Sequence, residues 1–105
     1  MNSPVRHVLL LRLHQDARDE QVSVMSAALR ELAVTIDGII SFEYGANNSP
    51  EGKNRDMTHV VMFTFANAEA RDAYLVHPDH LKAAARIGEL GVIDDLLVID
   101  YIPQQ

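Results

Sequence analysis

The chain has 105 residues, with 9 Lys and Arg against 15 Asp and Glu, a formal net charge of −6 and no cysteine. A domain of this length buries roughly 60–70% of the surface its unfolded chain exposes, so its core needs no disulfide or metal. The composition excludes a disulfide framework, a thiolate zinc site and a cysteine nucleophile, and scattered acidic charge without a basic stripe argues against binding nucleic acid through phosphates.

The apolar run "VLLL" at 8–11 meets Arg12, far short of the roughly 20 residues a membrane span needs. The opening "MNSPVRH" has no charged segment leading into a longer apolar stretch, so no signal peptide and no membrane association are expected. The expectation is one domain over residues 1–105, cytoplasmic, as the lack of cysteine fits, with a small-molecule or protein partner.

Residues 5–13, "VRHVLLLRL", alternate as a strand, with His7, Leu9, Leu11 and Leu13 on one face and Val8 and Leu10 on the other. From 18 to 36 the period lengthens: Val22, Met25, Leu29, Leu32 and Ile36 advance by three or four, the stripe of an amphipathic helix. Asp37-Gly38 ends it. "GIISFEYGAN" at 38–47 reads as a second strand with Ile40, Phe42 and Tyr44 on one face. The polar stretch 48–56, "NSPEGKNRD", is a loop and lacks the glycine run and Gly-Lys-Ser/Thr of a nucleotide loop.

"THVVMFTF" at 58–65 is the third strand, apolar on both faces. Asn67 then caps a helix reaching about Val76, with Glu69 in its first turn. "HPDHLKAAARIGEL" at 77–90 is a further helical stretch, and "DDLLVIDYIP" at 94–103 is the last strand. The order is that of an α+β, ferredoxin-like βαββαβ fold: a four-stranded antiparallel sheet with helices on one face. The last strand carries Leu97, Ile99 and Tyr101 on one face and Leu96, Val98 and Ile102 on the other. A helix-free sheet face this apolar is an association surface, so a homodimer with sheets packed face to face is expected.

The densest group of chemically able side chains is "YLVHPDH" at 74–80. The residue before a proline avoids the α region, so one helix ends near His77, and Pro78 suits the first position of the next. His80 then lies in the first turn of that helix. The positive helix end disfavours its imidazolium, Asp79 offsetting part of this, and a neutral histidine is what a general base requires. On local evidence alone the structural role outweighs the chemical one, clearly so for His77 as the N-cap. A metal site is the weakest reading: His77 and His80 are three apart, with His7 and His59 approaching from strands, but no His-Glu-x-x-His or acidic ligand cluster accompanies them. His7 and His59 either line a cavity or are hydrogen-bonded core residues, and His14 lies solvated in a turn.

"HVLLLRL" at 7–13, "GIISFEYGANNSPEG" at 38–52, "THVVMFTF" at 58–65, "YLVHPDH" at 74–80 and "LLVIDYIP" at 96–103 together resemble the stress-responsive A/B barrel (Dabb) family. Tyr-x-x-His-Pro-x-His is the most specific piece. The resemblance implies the ferredoxin-like fold and a dimeric α+β barrel. It covers a functionally mixed group, many of whose members have no assigned reaction. A plant polyketide cyclase of the same fold aligns residue by residue, which implies catalytic roles for Tyr74 and His80 and pocket-lining, substrate-binding roles for His7 and His59. The chain departs from that cyclase along the first helix and in the rest of the pocket wall.

Two expectations follow. In the first, a small organic ligand undergoes a cofactor-free, metal-free aldol-type cyclisation, with His80 as base and Tyr74 as hydrogen-bond donor. In the second, the chain is a non-catalytic stress-responsive binding or structural dimer whose Tyr–His segment fixes the helix break. A cavity lined by Tyr74 and His80 favours the first, and a filled core the second. A haem-degrading or oxygenase-like role ranks last.

Overall fold

The structure, a computed structural model, describes residues 3–105. The first two residues of the opening segment, and of the 1–105 domain expected above, lie outside the described residues. A run rich in valine and leucine extends as β1 (Val5–Leu13), and the amphipathic stripe follows as α1 (Asp19–Thr35). The start of α1 is tied by the Arg18 backbone N–H, which donates to Gln21 Oε1 at 3.0 Å, and Asp19 and Glu20 sit in its first turn, where the helix dipole favours negative charge. Then come β2 (Ile39–Ala46), β3 (His59–Phe65), α2 (Ala68–Leu75), α3 (Pro78–Leu90) and β4 (Ile93–Tyr101). The four strands form one antiparallel sheet in the order β2-β3-β1-β4. This is the expected ferredoxin-like plan, with the second helical segment divided in two.

Gly38 makes the turn from α1 into β2 at a φ of 91°, and a Cβ there would come within 2.7 Å of the Ala70 Cβ. Only glycine meets both demands. The β2 strand then departs from the sequence reading. Ile39 pairs with Phe65 and Ser41 with Thr64, so Ile40 is an extra residue at a bulge. It is 63% exposed, while Ile39, Phe42 and Tyr44 pack against the core. The expectation that Ile40 shares a face with Phe42 and Tyr44 is therefore wrong, because an inserted residue resets the alternation at that point.

The helix break falls where Pro78 puts it. α2 ends at Leu75, and His77 caps α3 by accepting the Asp79 backbone N–H on Nδ1 at 3.0 Å. α3 closes on Gly91 in the left-handed conformation.

The sheet buries Val61, Phe63 and Phe65 of β3 and Leu11 of β1 against Met25, Leu29 and Leu32 of α1. The other face has no helix, and Leu97 and Ile99 remain 49% and 53% exposed there. Among the described residues no helix is long and apolar enough to cross a membrane.

Candidate active site

The register of β1 against its neighbours decides which side chains meet beneath the helices. His7 lies opposite Phe63 of β3 and Asp100 of β4, and Leu11 opposite His59 and Leu96. Since His7, Leu9 and Leu11 face the helices, so do Val98 and Asp100. On this side a cavity of about 410 Å³ opens between sheet and helices. Its floor is His7, Leu9 and Leu11 with Leu96 and Val98, and its α1 wall is Leu29 and Leu32. The α3 wall is made of small residues, Ala83, Ala84 and Gly88, beside Ile87. Tyr74, Leu75 and His80, from the junction of α2 and α3, complete it. From His7 to Leu11 the floor runs four strand residues, about 13 Å. Its polar side chains, His7, Tyr74 and His80, come from the α2–α3 junction and the His7 end of β1, and the rest of the lining is apolar.

Tyr74 is only 2% exposed, and burial pushes its phenol well above the usual tyrosine value. It therefore keeps its proton across the working pH range and acts as a donor. Its ring stacks on His80, centroids 4.2 Å apart and planes at 29°, and packs on Phe65 and Phe63 at 5.0 and 5.5 Å.

The His80 Nδ1 lies 3.3 Å from the Leu75 carbonyl oxygen. A carbonyl only accepts, so Nδ1 carries the proton and Nε2 has a free lone pair. Burial lowers the His80 pKa, a hydrogen bond to the Leu75 carbonyl opposes this, and the nearby His7 adds to the lowering. The sequence assigned the neutral state to the helix end; here desolvation is the larger cause.

His7 is 5% exposed and its ring centroid is 5.9 Å from that of Tyr74. Its Nδ1 is 2.7 Å from Asp100 Oδ1, and the other Asp100 oxygen accepts from Arg71 at 2.7 Å. Arg71 also donates through Nε to Asp72 at 2.8 Å, and these hydrogen bonds raise its pKa. Asp100 and Arg71 were not found in the sequence. The available signal was an acidic residue on the same strand face as Leu96 and Val98.

Thus Tyr74, His80 and His7 line one cavity. His59 does not join them. It sits at the other end of the same sheet face, beside Leu11, with its ring stacked on Tyr44 at 5.6 Å and 12° and its Nδ1 2.8 Å from Thr58 Oγ1. Burial lowers its pKa. His14 accepts the Asp16 backbone N–H at 3.0 Å in an exposed turn. Among the described residues no three His, Asp or Glu side chains are placed to hold a metal ion. The cavity offers one hydrogen-bond donor whose burial keeps it protonated and an imidazole whose burial favours its neutral form stacked beside it, the pair needed to take a proton and steady the resulting oxyanion.

Known proteins share this fold. The stress-response A/B barrel domain-containing protein HS1 of Arabidopsis thaliana is 33% identical over 95% of this chain and 90% of its own length. The structure of At3g17210 from the same plant superposes with a TM-score of 0.88 at 32% identity, covering 96% of each chain. Olivetolic acid cyclase of Cannabis sativa is 23% identical over 96% of this chain and 98% of its own. A dimeric ferredoxin-like protein of unknown function from Jannaschia sp. CCS1 superposes with a TM-score of 0.78 at 27% identity, covering 93% of this chain and 97% of its own. The family of the Stress responsive A/B Barrel Domain matches residues 5–103. The chain belongs to the stress-responsive A/B barrel family.

Proposed function

We propose that the cavity binds a small, largely apolar organic molecule and that Tyr74 and His80 carry out a cofactor-free proton transfer on it that leads to an aldol-type ring closure, cyclisation being the reaction for which the related olivetolic acid cyclase is named. The carrying observation is the Tyr74–His80 stack, 4.2 Å between centroids, in a cavity whose lining is otherwise mostly aliphatic. His80 Nε2 takes a proton from a carbon flanked by carbonyls. The enolate oxygen accepts a hydrogen bond from the Tyr74 hydroxyl, where a dry wall makes that bond strong. The enolate carbon attacks a second carbonyl of the same molecule, and the new alkoxide recovers the proton from the His80 imidazolium. Holding a linear chain folded along the floor supplies part of the acceleration. The chain acts as a homodimer through its helix-free sheet face, in a cytoplasmic setting.

A non-catalytic reading has one observation in its favour: the His77 cap and Pro78 account for the junction without chemistry. Native mass spectrometry of the purified protein, followed by denaturing release, tests both. A dimer carrying an organic ligand supplies the compound class for assays. Tyr74→Phe and His80→Ala are then expected to lower turnover by about 10²-fold or more. Full turnover of an identified substrate by His80→Ala would overturn the mechanism. A protein that never retains a ligand, and that only loses stability on His80→Ala, favours the non-catalytic dimer.

A further inference from the structure

We propose that Arg71 is a positioning residue for the cavity: it holds the Asp100 carboxylate so that Asp100 fixes His7 as the Nδ1–H tautomer, leaving Nε2 as a second acceptor facing the ligand. The contacts form one chain across three elements. Arg71 of α2 donates to Asp100 Oδ2 at 2.7 Å, and Asp100 Oδ1 lies 2.7 Å from His7 Nδ1. A carboxylate engaged by a guanidinium accepts and does not donate, so the proton between Asp100 and His7 belongs to Nδ1. Among the described residues no buried side-chain nitrogen or oxygen lacks a partner, and the recorded hydrogen bond of His7 uses only Nδ1. Nε2 is therefore the ring atom open to the cavity that His7 lines.

Arg71 lies three residues before Tyr74 on α2, so the same helix delivers the phenol donor and anchors the second histidine. Asp72 takes the Arg71 Nε at 2.8 Å and limits the rotation of the guanidinium. Tyr74 donates, His80 Nε2 accepts, and His7 Nε2 accepts as well. Such a set suits a ligand end that brings its own O–H, such as an enol, to His7. The consequence for turnover rests on the proton-transfer reading above, whereas the tautomer does not.

The test is long-range ¹H–¹⁵N NMR of the histidine rings of the full chain at mildly alkaline pH. In the wild type the His7 ring is expected to show a single Nδ1–H tautomer. Arg71→Met is expected to convert at least about half of it to Nε2–H, and Arg71→Lys to restore most of it. Asp100→Asn turns the amide NH₂ towards His7 while its oxygen stays on Arg71, so the ring is expected to flip to Nε2–H. An unchanged Nδ1–H tautomer in Arg71→Met, or in Asp100→Asn should Arg71→Met not fold, overturns the assignment. If the tautomer moves while turnover of an identified substrate stays the same, Arg71 keeps its role and the proton-transfer reading loses its use of His7.

Discussion

The space between sheet and helices has two halves that differ in what fills them. Beneath β2 and β3 it is packed: Phe63 and Phe65 are fully buried, with Phe42 packed at a tilt on Phe63, centroids 5.2 Å apart, and Met25 closing from α1. Beneath β1 and β4 it is open, and Leu96 and Val98 are 44% and 53% exposed although they face the helices. Side-chain size accounts for the difference. The phenylalanines of the inward face lie on β2 and β3, whereas β4 offers aliphatic residues and the facing wall of α3 is Ala83, Ala84 and Gly88. The filled half holds the fold together, and the open half leaves the cavity in which we propose a ligand binds. Tyr74 sits between them, packed on Phe65 on one side and on His80 on the other.

The sharpest way to break this comparison is to truncate one inward-facing side chain in each half. Phe63→Ala is expected to cost about 3–5 kcal/mol, the usual range for deleting a buried ring and leaving a cavity. Val98→Ala, already half exposed, is expected to cost less than about 1 kcal/mol. Urea denaturation of the two variants measures both. Equal losses would mean that the open half is closed in solution.

Filling the open half is a smaller perturbation with the opposite sign. A Cβ at Gly88 meets nothing within 4 Å, and glycine within a helix costs about 0.8–1 kcal/mol against alanine. Gly88→Ala is therefore expected to raise the unfolding free energy by that amount, read from urea denaturation. Gly88→Leu should keep most of the gain while reducing ligand retention in native mass spectrometry. A loss of stability with Gly88→Leu would show that the α3 wall is already close-packed.

The sequence carried the architecture because its signals were local. Alternation in β1, the α1 stripe and the Pro78 break each depend on residues within a turn or a strand of one another, and each element stands where it was expected. The candidate pair Tyr74 and His80 is local too, six residues apart across that break. The Ile40 bulge was invisible, since composition does not mark an inserted residue in a strand that stays apolar throughout. Asp100 and Arg71 were missed for another reason. His7 and Asp100 are 93 residues apart and meet through the β1–β4 register, and Arg71 reaches Asp100 across 29 residues. His59 was expected either to line the cavity or to be a hydrogen-bonded core residue, and a strand's alternation does not tell which end of a sheet face holds the cavity.

The smallest expected effect is one of pH, and it separates the two halves again. Burial holds the folded-state pKa of His80 below 6.5, so the unfolded chain takes up this proton at a higher pH than the folded chain. Between those two values the unfolded state binds more protons, and stability falls as pH falls. Above about 6.5 this contribution is fully present. His59, in the packed half, is lowered for the same reason and adds a slope of the same sign. His80→Gln should flatten only the share belonging to the cavity, seen as a smaller change in denaturation midpoint between pH 7.5 and 5.5, and His59→Gln should flatten the share belonging to the packed half. The same shift keeps His80 unprotonated to a lower pH than an ordinary histidine, so the acid limb of any turnover it supports belongs below 6.5. A limb at or above that value would mean that the stacked imidazole is more solvated than its packing against Tyr74 implies, and that a different group takes the proton.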